Sequence, residues 1–270
     1  MATKKAAGVP AVKQNTAVVS WRDKLAGYAK QEAAQADEVG AGGQFLSFKS
    51  GVLSYNQQPC AGNQLDVIIA ASMLENAFYG NDFDPDNPQP PVCYAFGSEK
   101  KQMRPHEKSA QPQAESCEEC EWNEFGSADK GKGKACKNVV RLAVLPAKPL
   151  DPAVLENVEA AYAKTPVTSS KGYAAYVKGL AAKFEMPPFA FVTKLAVVPD
   201  AKTQFKVTFE EVAALADNDE IMNVLEQRHL ELSKTIDFPY PEAREEEEKP
   251  KGKAAAAKGR AAAPSRTRKY

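Results

Sequence analysis

The chain has 270 residues, 43% hydrophobic and 26% charged, with 35 basic side chains balancing 35 acidic ones. That is enough for one large domain or two small ones with a buried core, and the balance excludes a generic polycation or polyanion. No run approaches the roughly 18 apolar residues of a membrane helix, and the N-terminus lacks the apolar stretch of a secretory signal. A cytoplasmic protein with reduced thiols is expected, so its five cysteines point to a metal or to core thiols, not to disulfides.

Residues 1–15 show no periodicity and read as a disordered tail. Trp21, Leu25, Tyr28 and Ala29 recur at helical spacing and predict a helix over 16–38, which the glycines of VGAGGQ stop. FLSFKSGVLSYN (45–56) alternates as a strand does, with Gly51 as a bulge. The run from Leu65 opens on Val-Ile-Ile and predicts a strand over 65–73; beyond it, ASMLENAFY also fits a helical period. GNDFDPDNPQPP (80–91) is a loop rich in turn formers. Residues 92–137 form a cysteine-bearing insertion, and NVVRLAVLP (138–146) returns to a strand.

Asp151 and Pro152 open a helix whose apolar side is Val154, Leu155, Val158 and Tyr162. A second helix starts near Ser169 or Ser170, carries Tyr173, Tyr176, Val177, Leu180 and Phe184, and stops at MPPF. The stretch from Phe191 to Glu210 reads as a β-hairpin with Pro199 and Asp200 in its connection. Residues 210–233 read as a charged helix interrupted at ADND. An acidic run at 245–248 and a basic, alanine-rich end make 245–270 a second disordered tail. The expected organisation is a single α+β domain over 16–244, with a barrel-like sheet, packed helices and the cysteine-bearing insertion.

The insertion carries the sharpest signal. Cys117 and Cys120 form a C-x2-C knuckle, in which one tight turn points both thiolates at one ion. Cys136 follows after fifteen residues and Cys93 precedes by twenty-three, which completes a tetrahedral set for Zn2+. His106 competes with Cys93 for the fourth position. The segment is polar and poor in aliphatic residues, so a metal that binds only its folded form would stabilise it. A shell of four thiolates leaves no open position for water, which makes the site structural. A redox C-x-x-C fits less well, because the flanking acids raise a thiol pKa. Cys60 stands apart as a loop or core thiol.

Nucleic acid is the expected partner. Lys100, Lys101, Arg104, Lys130, Lys132, Lys134 and Lys137 surround the cysteines, and KGKGKACK interleaves lysine with glycine so that backbone can approach phosphates. Lys49 lies on the preceding strand segment. Tyr55, Tyr79, Tyr94 and Phe96 are candidate stacking rings for single-stranded bases. The basic tail adds non-specific phosphate affinity, or simply solubility.

PPVCYAFGSEKKQMRPH, CEECEWNEFGSADKGKGKACKN and VRLAVLP, with TPVTSSKGYAAYVKGLAAKF and the hairpin after it, resemble a zinc-containing family of small proteins of tailed bacteriophages. The resemblance spans roughly residues 40–240, a range one domain can fill. It implies an OB-like antiparallel β-barrel or sheet that binds single-stranded DNA in phage replication or recombination, in the host cytoplasm, with replication or recombination proteins as further partners. One departure is the tail: single-strand binders often end in an acidic tail, whereas this chain ends basic.

No catalytic set is visible. The chain lacks a Walker A loop, a G-x-G-x-x-G after a strand and a G-x-S-x-G elbow. Its two histidines, His106 and His229, limit acid–base chemistry. Asp82, Asp84 and Asp86 lack the later Glu of a calcium loop. A non-enzymatic protein is expected. The alternative is a structural or scaffolding protein that docks a partner on its zinc module.

Overall fold

The computed structural model describes residues 24, 25, 27, 28, 44–80, 89–129 and 131–241. Both expected tails, most of the helix expected over 16–38, and the Asp82–Asp86 loop lie outside them. Lys24, Leu25, Gly27 and Tyr28 are helical and exposed. Along the chain the strands are β1 (Gln44–Ser47), β2 (Ser54–Tyr55), β3 (Gln58–Pro59), β4 (Gln64–Phe78), β5 (Cys93–Gly97), β6 (Lys137–Pro146), β7 (Ala161–Lys164), β8 (Phe191–Asp200) and β9 (Gln204–Ala214). Among the described residues within 44–241, the α-helices are α1 (Pro152–Asn157), α2 (Ser170–Phe184) and α3 (Asp219–Thr235). The protein is mixed α+β.

There are two compact units. One combines Met1–Met73 with Val139–Ile236, the other Leu74–Asn138 with Asp237–Tyr270. The second contains the whole of the cysteine-bearing insertion expected at 92–137. In the first, the sheet is strongly curled, a half-barrel. Strands follow the order β3-β2-β1-β7-β6-β4-β8-β9, with β5 added on β4. β1 runs parallel to β7, whereas β4 with β8 and β8 with β9 are antiparallel.

The core of the first unit follows from the Val-Ile-Ile run. Val67 through Ala71 are all buried, because both sides of β4 are covered there. Ile68, Ala70, Leu145 and Leu155 join Leu225, Leu232 and Ile236 from α3 and its end. Arg141 is 1% exposed and donates from Nη1 to the Ile236 carbonyl at 3.0 Å, so a buried charge ties β6 to the end of α3.

Several expectations need correction. The strand expected over 45–56 breaks after Ser47, and Lys49–Gly51 form a 3-10 turn. Gly51 has φ +77° and lies under Phe205, where a Cβ would sit 3.4 Å from the ring; it is a turn glycine and not a bulge. The strand from Gln64 runs to Phe78, beyond 73, since its far end pairs with β5. The helix at Asp151 is capped as expected, with Oδ1 accepting from Ala153 N at 2.9 Å, but it ends at Asn157. Tyr162 belongs to β7, where pairing with β1 and β6 outweighs helical spacing. Glu210–Ala214 continue β9 instead of opening a helix, held by the β8 ladder and by ion pairs of Glu210 with Lys194 and Glu211 with Lys183. At ADND the chain starts α3: Asn218 Oδ1 accepts from Ile221 N at 3.1 Å, and acids occupy the first turn.

α2 follows the reading closely. Tyr173, Tyr176 and Leu180 are its buried face, and Tyr173 and Tyr176 pack on Phe209 of β9. The Tyr176 hydroxyl and Thr193 Oγ1, both buried, are 2.6 Å apart. Thr193→Val leaves that hydroxyl buried and unpaired, and is expected to lower stability by about 1–3 kcal/mol. Adding Tyr176→Phe should recover part of the loss. Urea denaturation of the single and double variants measures both effects.

Candidate metal centre

The second unit brings the four expected cysteines together. Cys93 begins β5, Cys117 and Cys120 form the knuckle, and Cys136 immediately precedes β6. Each is buried, at 8–9% exposure, and unbridged. All four line one cavity of about 20 Å³, room for a single water-sized sphere. They do not form a closed shell: among the described residues, no group of three or more His, Cys, Asp or Glu is set to hold a metal ion.

Local structure explains the gathering. The Cys117 N–H donates to Met103 O at 3.0 Å, which docks the knuckle on the loop after β5. Met103 packs against Ala95 and Cys117 in a small apolar cluster. Gly97 allows that approach, since a Cβ there would lie 2.9 Å from Met103 Cγ. A 3-10 turn at Glu121–Asn123 follows Cys120 and places Trp122 on Phe78, with ring centroids 5.0 Å apart. The Trp122 carbonyl accepts from Cys136 N at 2.8 Å.

Three asparagines that the sequence reading missed hold this geometry. Asn123 Nδ2 donates to the Cys117 carbonyl at 2.6 Å, and its Oδ1 accepts from Asn138 Nδ2 and Lys134 Nζ. Asn138 Nδ2 also donates to Asn76 Oδ1 at 2.6 Å, and the buried Asn76 side chain hydrogen-bonds the Cys117 sulfur. No spacing rule marks scattered asparagines. Asn123, three residues beyond the knuckle, carried the nearest thing to a signal.

The thiols are electrostatically coupled. Burial pushes the Cys136 thiol up to about 12, aided by the charges of Cys117, Cys120 and Cys93, while Lys134 pulls it down. Burial also raises Cys93, against hydrogen bonds from Gln113 and Ser109 that lower it. Cys117 is raised first by burial, with Asn76 opposing. At Cys93, Cys117 and Cys136 the neutral thiol is therefore favoured. His106 is not part of the cavity lining. Its ring stacks on Tyr94 at 5.0 Å, and its Nδ1 accepts from Lys108 N.

The expected nucleic-acid residues divide between the units. In the first, Lys49 is exposed. Tyr55 borders a groove of about 390 Å³ walled by Leu46, Leu65 and Val144, with Asp66, Glu159 and Lys148 at its edge. Burial and then the charge of Glu159 raise the Tyr55 phenol. Two acids against one lysine make this groove a poor seat for phosphate.

In the second unit, Lys100, Lys101, Arg104, Lys132 and Lys137 are exposed, and Lys134 is half-buried. Lys130 lies outside the described residues. Tyr79 is 42% exposed, with its hydroxyl hydrogen-bonded to Tyr240. Phe96 is half-buried and packs edge-on against His106. Tyr94 has to be withdrawn as a stacking ring: it is 2% exposed, enclosed by His106, Phe96 and Tyr240. Its place on β5 opposite Ala77 makes it core. The ring that the reading passed over is Phe125, at 82% exposure.

Among the described residues, no helix is long and apolar enough to cross a membrane. In comparisons with known proteins, no family model, no curated protein and no solved structure matches the chain.

Asn123→Ala removes the donor to the Cys117 carbonyl and the acceptor of two others. It is expected to cost about 1–2 kcal/mol and to speed amide hydrogen exchange selectively over 117–136. Thermal denaturation and exchange mass spectrometry report the two effects.

Proposed function

We propose that the protein is a non-enzymatic single-stranded-DNA-binding protein with a structural zinc site on Cys93, Cys117, Cys120 and Cys136. In this reading it acts in the cytoplasm, in phage DNA replication or recombination, with an OB-like curled sheet in one unit, the zinc module in the other, and replication or recombination proteins as further partners. The observation that carries the DNA reading is the state of the cations. Among the described residues, Lys49, Lys100, Lys101, Arg104, Lys132 and Lys137 form no ion pair with an acid, so each is available to a phosphate. The resemblance to phage proteins adds the biological setting.

The zinc reading is supported by the donor set and the space: four buried thiols face one cavity the size of a single small sphere. Bound zinc would supply a cross-link between β5, the knuckle and the start of β6, and would keep the sulfurs deprotonated. With four protein ligands it leaves no site for a reacting water. Asn76, Gln113 and Ser109 would act as hydrogen-bond partners of the coordinating sulfurs.

Charge sets the strength of binding. The second unit also exposes Glu99, Glu107, Glu115, Glu118, Glu119, Glu121, Glu124 and Asp129, largely on and beside the knuckle. Among the described residues, its cations lie on two other stretches, 100–108 and 132–137. Only the cation-bearing stretches would face the strand, and affinity would be moderate. The acid-bearing knuckle favours the second reading, a docking surface for a protein.

Fluorescence anisotropy with an oligo-dT strand and with duplex DNA separates the two. Preferred binding of the single strand, with a log–log salt slope of about −2 to −4 for three to six released counterions, supports the first. Absence of binding at low salt rejects it. Metal analysis should find zinc. Chelation or Cys120→Ser should expose residues 93–136 to protease. A zinc-free preparation whose proteolysis is unchanged by chelator contradicts the metal.

A further inference from the structure

A phenyl ring left in water forgoes the burial that drives folding. Phe125 is nevertheless the most exposed of the large apolar side chains described. The loop that carries it is well tied down. Gly126 N and Ala128 N both donate to Gly133 O, at 2.9 and 3.3 Å, closing the loop on itself. Ser127 Oγ donates to the Trp122 carbonyl at 3.0 Å and accepts from Ala135 N at 3.0 Å. Gly126, at φ +94°, makes the turn that sends the ring outward. Trp122, the root of the loop, is stacked on Phe78.

The surroundings of the ring restrict what it can receive. Lys134 Nζ stands 5.2 Å from its centroid, covering one side, while the ammonium also donates to Asn123 Oδ1. At 82% exposure the other face is open. Beyond it the loop offers Gly126, Ser127, Ala128, Gly131 and Gly133, which supply no apolar patch of the kind a protein interface buries. Lys132 and Lys137 are exposed and unpaired with acids among the described residues. Glu124 and Asp129 are exposed as well, and a strand would have to pass on the lysine side. A rigid aromatic face next to cations suits a flat, polarisable group joined to a negative charge.

From this we infer that Phe125 is a base-stacking platform, with the exposed Lys132 and Lys137 meeting the adjoining phosphates. The inference rests on the single-stranded-DNA reading and names its contact residue. The ring would stack on one base without reading its edge, so the contact is tolerant of sequence.

The test is equilibrium binding of a fluorescein-labelled oligo-dT by the full-length chain and its variants, with an abasic strand of equal length as a second probe. Phe125→Ala should weaken oligo-dT binding about five- to 150-fold, the range for one lost stack. Its melting temperature and metal content should stay those of the parent. Phe125→Trp should bind as the parent does. The abasic strand should bind parent and Phe125→Ala equally weakly, which a purely structural role for the ring would not produce. If the parent binds oligo-dT and Phe125→Ala binds it within twofold, the assignment is overturned while DNA binding stands. If the parent itself fails to bind, the DNA reading falls, and this assignment with it.

Discussion

Four thiols facing one cavity of about 20 Å³ are the point at which the loops of the second unit meet. Cys93 comes from a strand, Cys117 and Cys120 from a turn, and Cys136 from the approach to the next strand. Burial also binds these segments, through Trp122 on Phe78 and through Tyr94 among His106, Phe96 and Tyr240. The apolar cluster there consists of Ala95, Met103 and Cys117, with Leu74 partly covered. As neutral thiols the four sulfurs give up modest apolar surface and weak hydrogen bonds. In the proposed zinc-bound state a cation among them would cross-link β5, the knuckle and the start of β6.

Hydrogen bonding completes what burial does not. Asn76, Asn123 and Asn138 connect β4, the knuckle and β6 through amides that are both donors and acceptors. A second polar cluster holds the segment after α3. There the Tyr240 hydroxyl donates to the buried Glu75 carboxylate, and its pKa is raised by burial and by that charge. Tyr94 packs edge-on against the Tyr240 ring. Polar side chains with defined directions fix loop geometry more closely than a few aliphatic contacts could, and each becomes costly if its partner is lost.

Much of the first unit was legible in the residues because its signals are local. Asp151 with Pro152, the helical spacing of Tyr173, Tyr176 and Leu180, and the Val-Ile-Ile run each specify an element without reference to distant chain. The failures share one cause, long-range pairing overriding a local pattern. Tyr162 fits a helix by spacing yet joins a parallel pair with β1. Glu210 and Glu211 look like helix formers, but β8 and two lysines hold them in a strand. In the candidate site the knuckle spacing made the cysteines visible. The asparagines were invisible because any polar residue is permitted at their positions until the fold brings them together. Tyr94 and Phe125 misled for the same reason: a sequence shows that a ring is present, not which way it faces.

The parallel pairing of β1 with β7 has a kinetic side. Gln44–Leu46 must find Ala161–Ala163, and Gln64–Val67 must find Thr193–Ala196, across long stretches of chain. Residues 79–136 lie between β4 and β6 in the chain, and the two strands are neighbours in the sheet. Such topology delays folding, because closure entropy is lost before the contacts that reward it are made. An excursion that condenses early shortens the effective loop. The cysteine-bearing segment would then govern how fast the barrel-like half assembles.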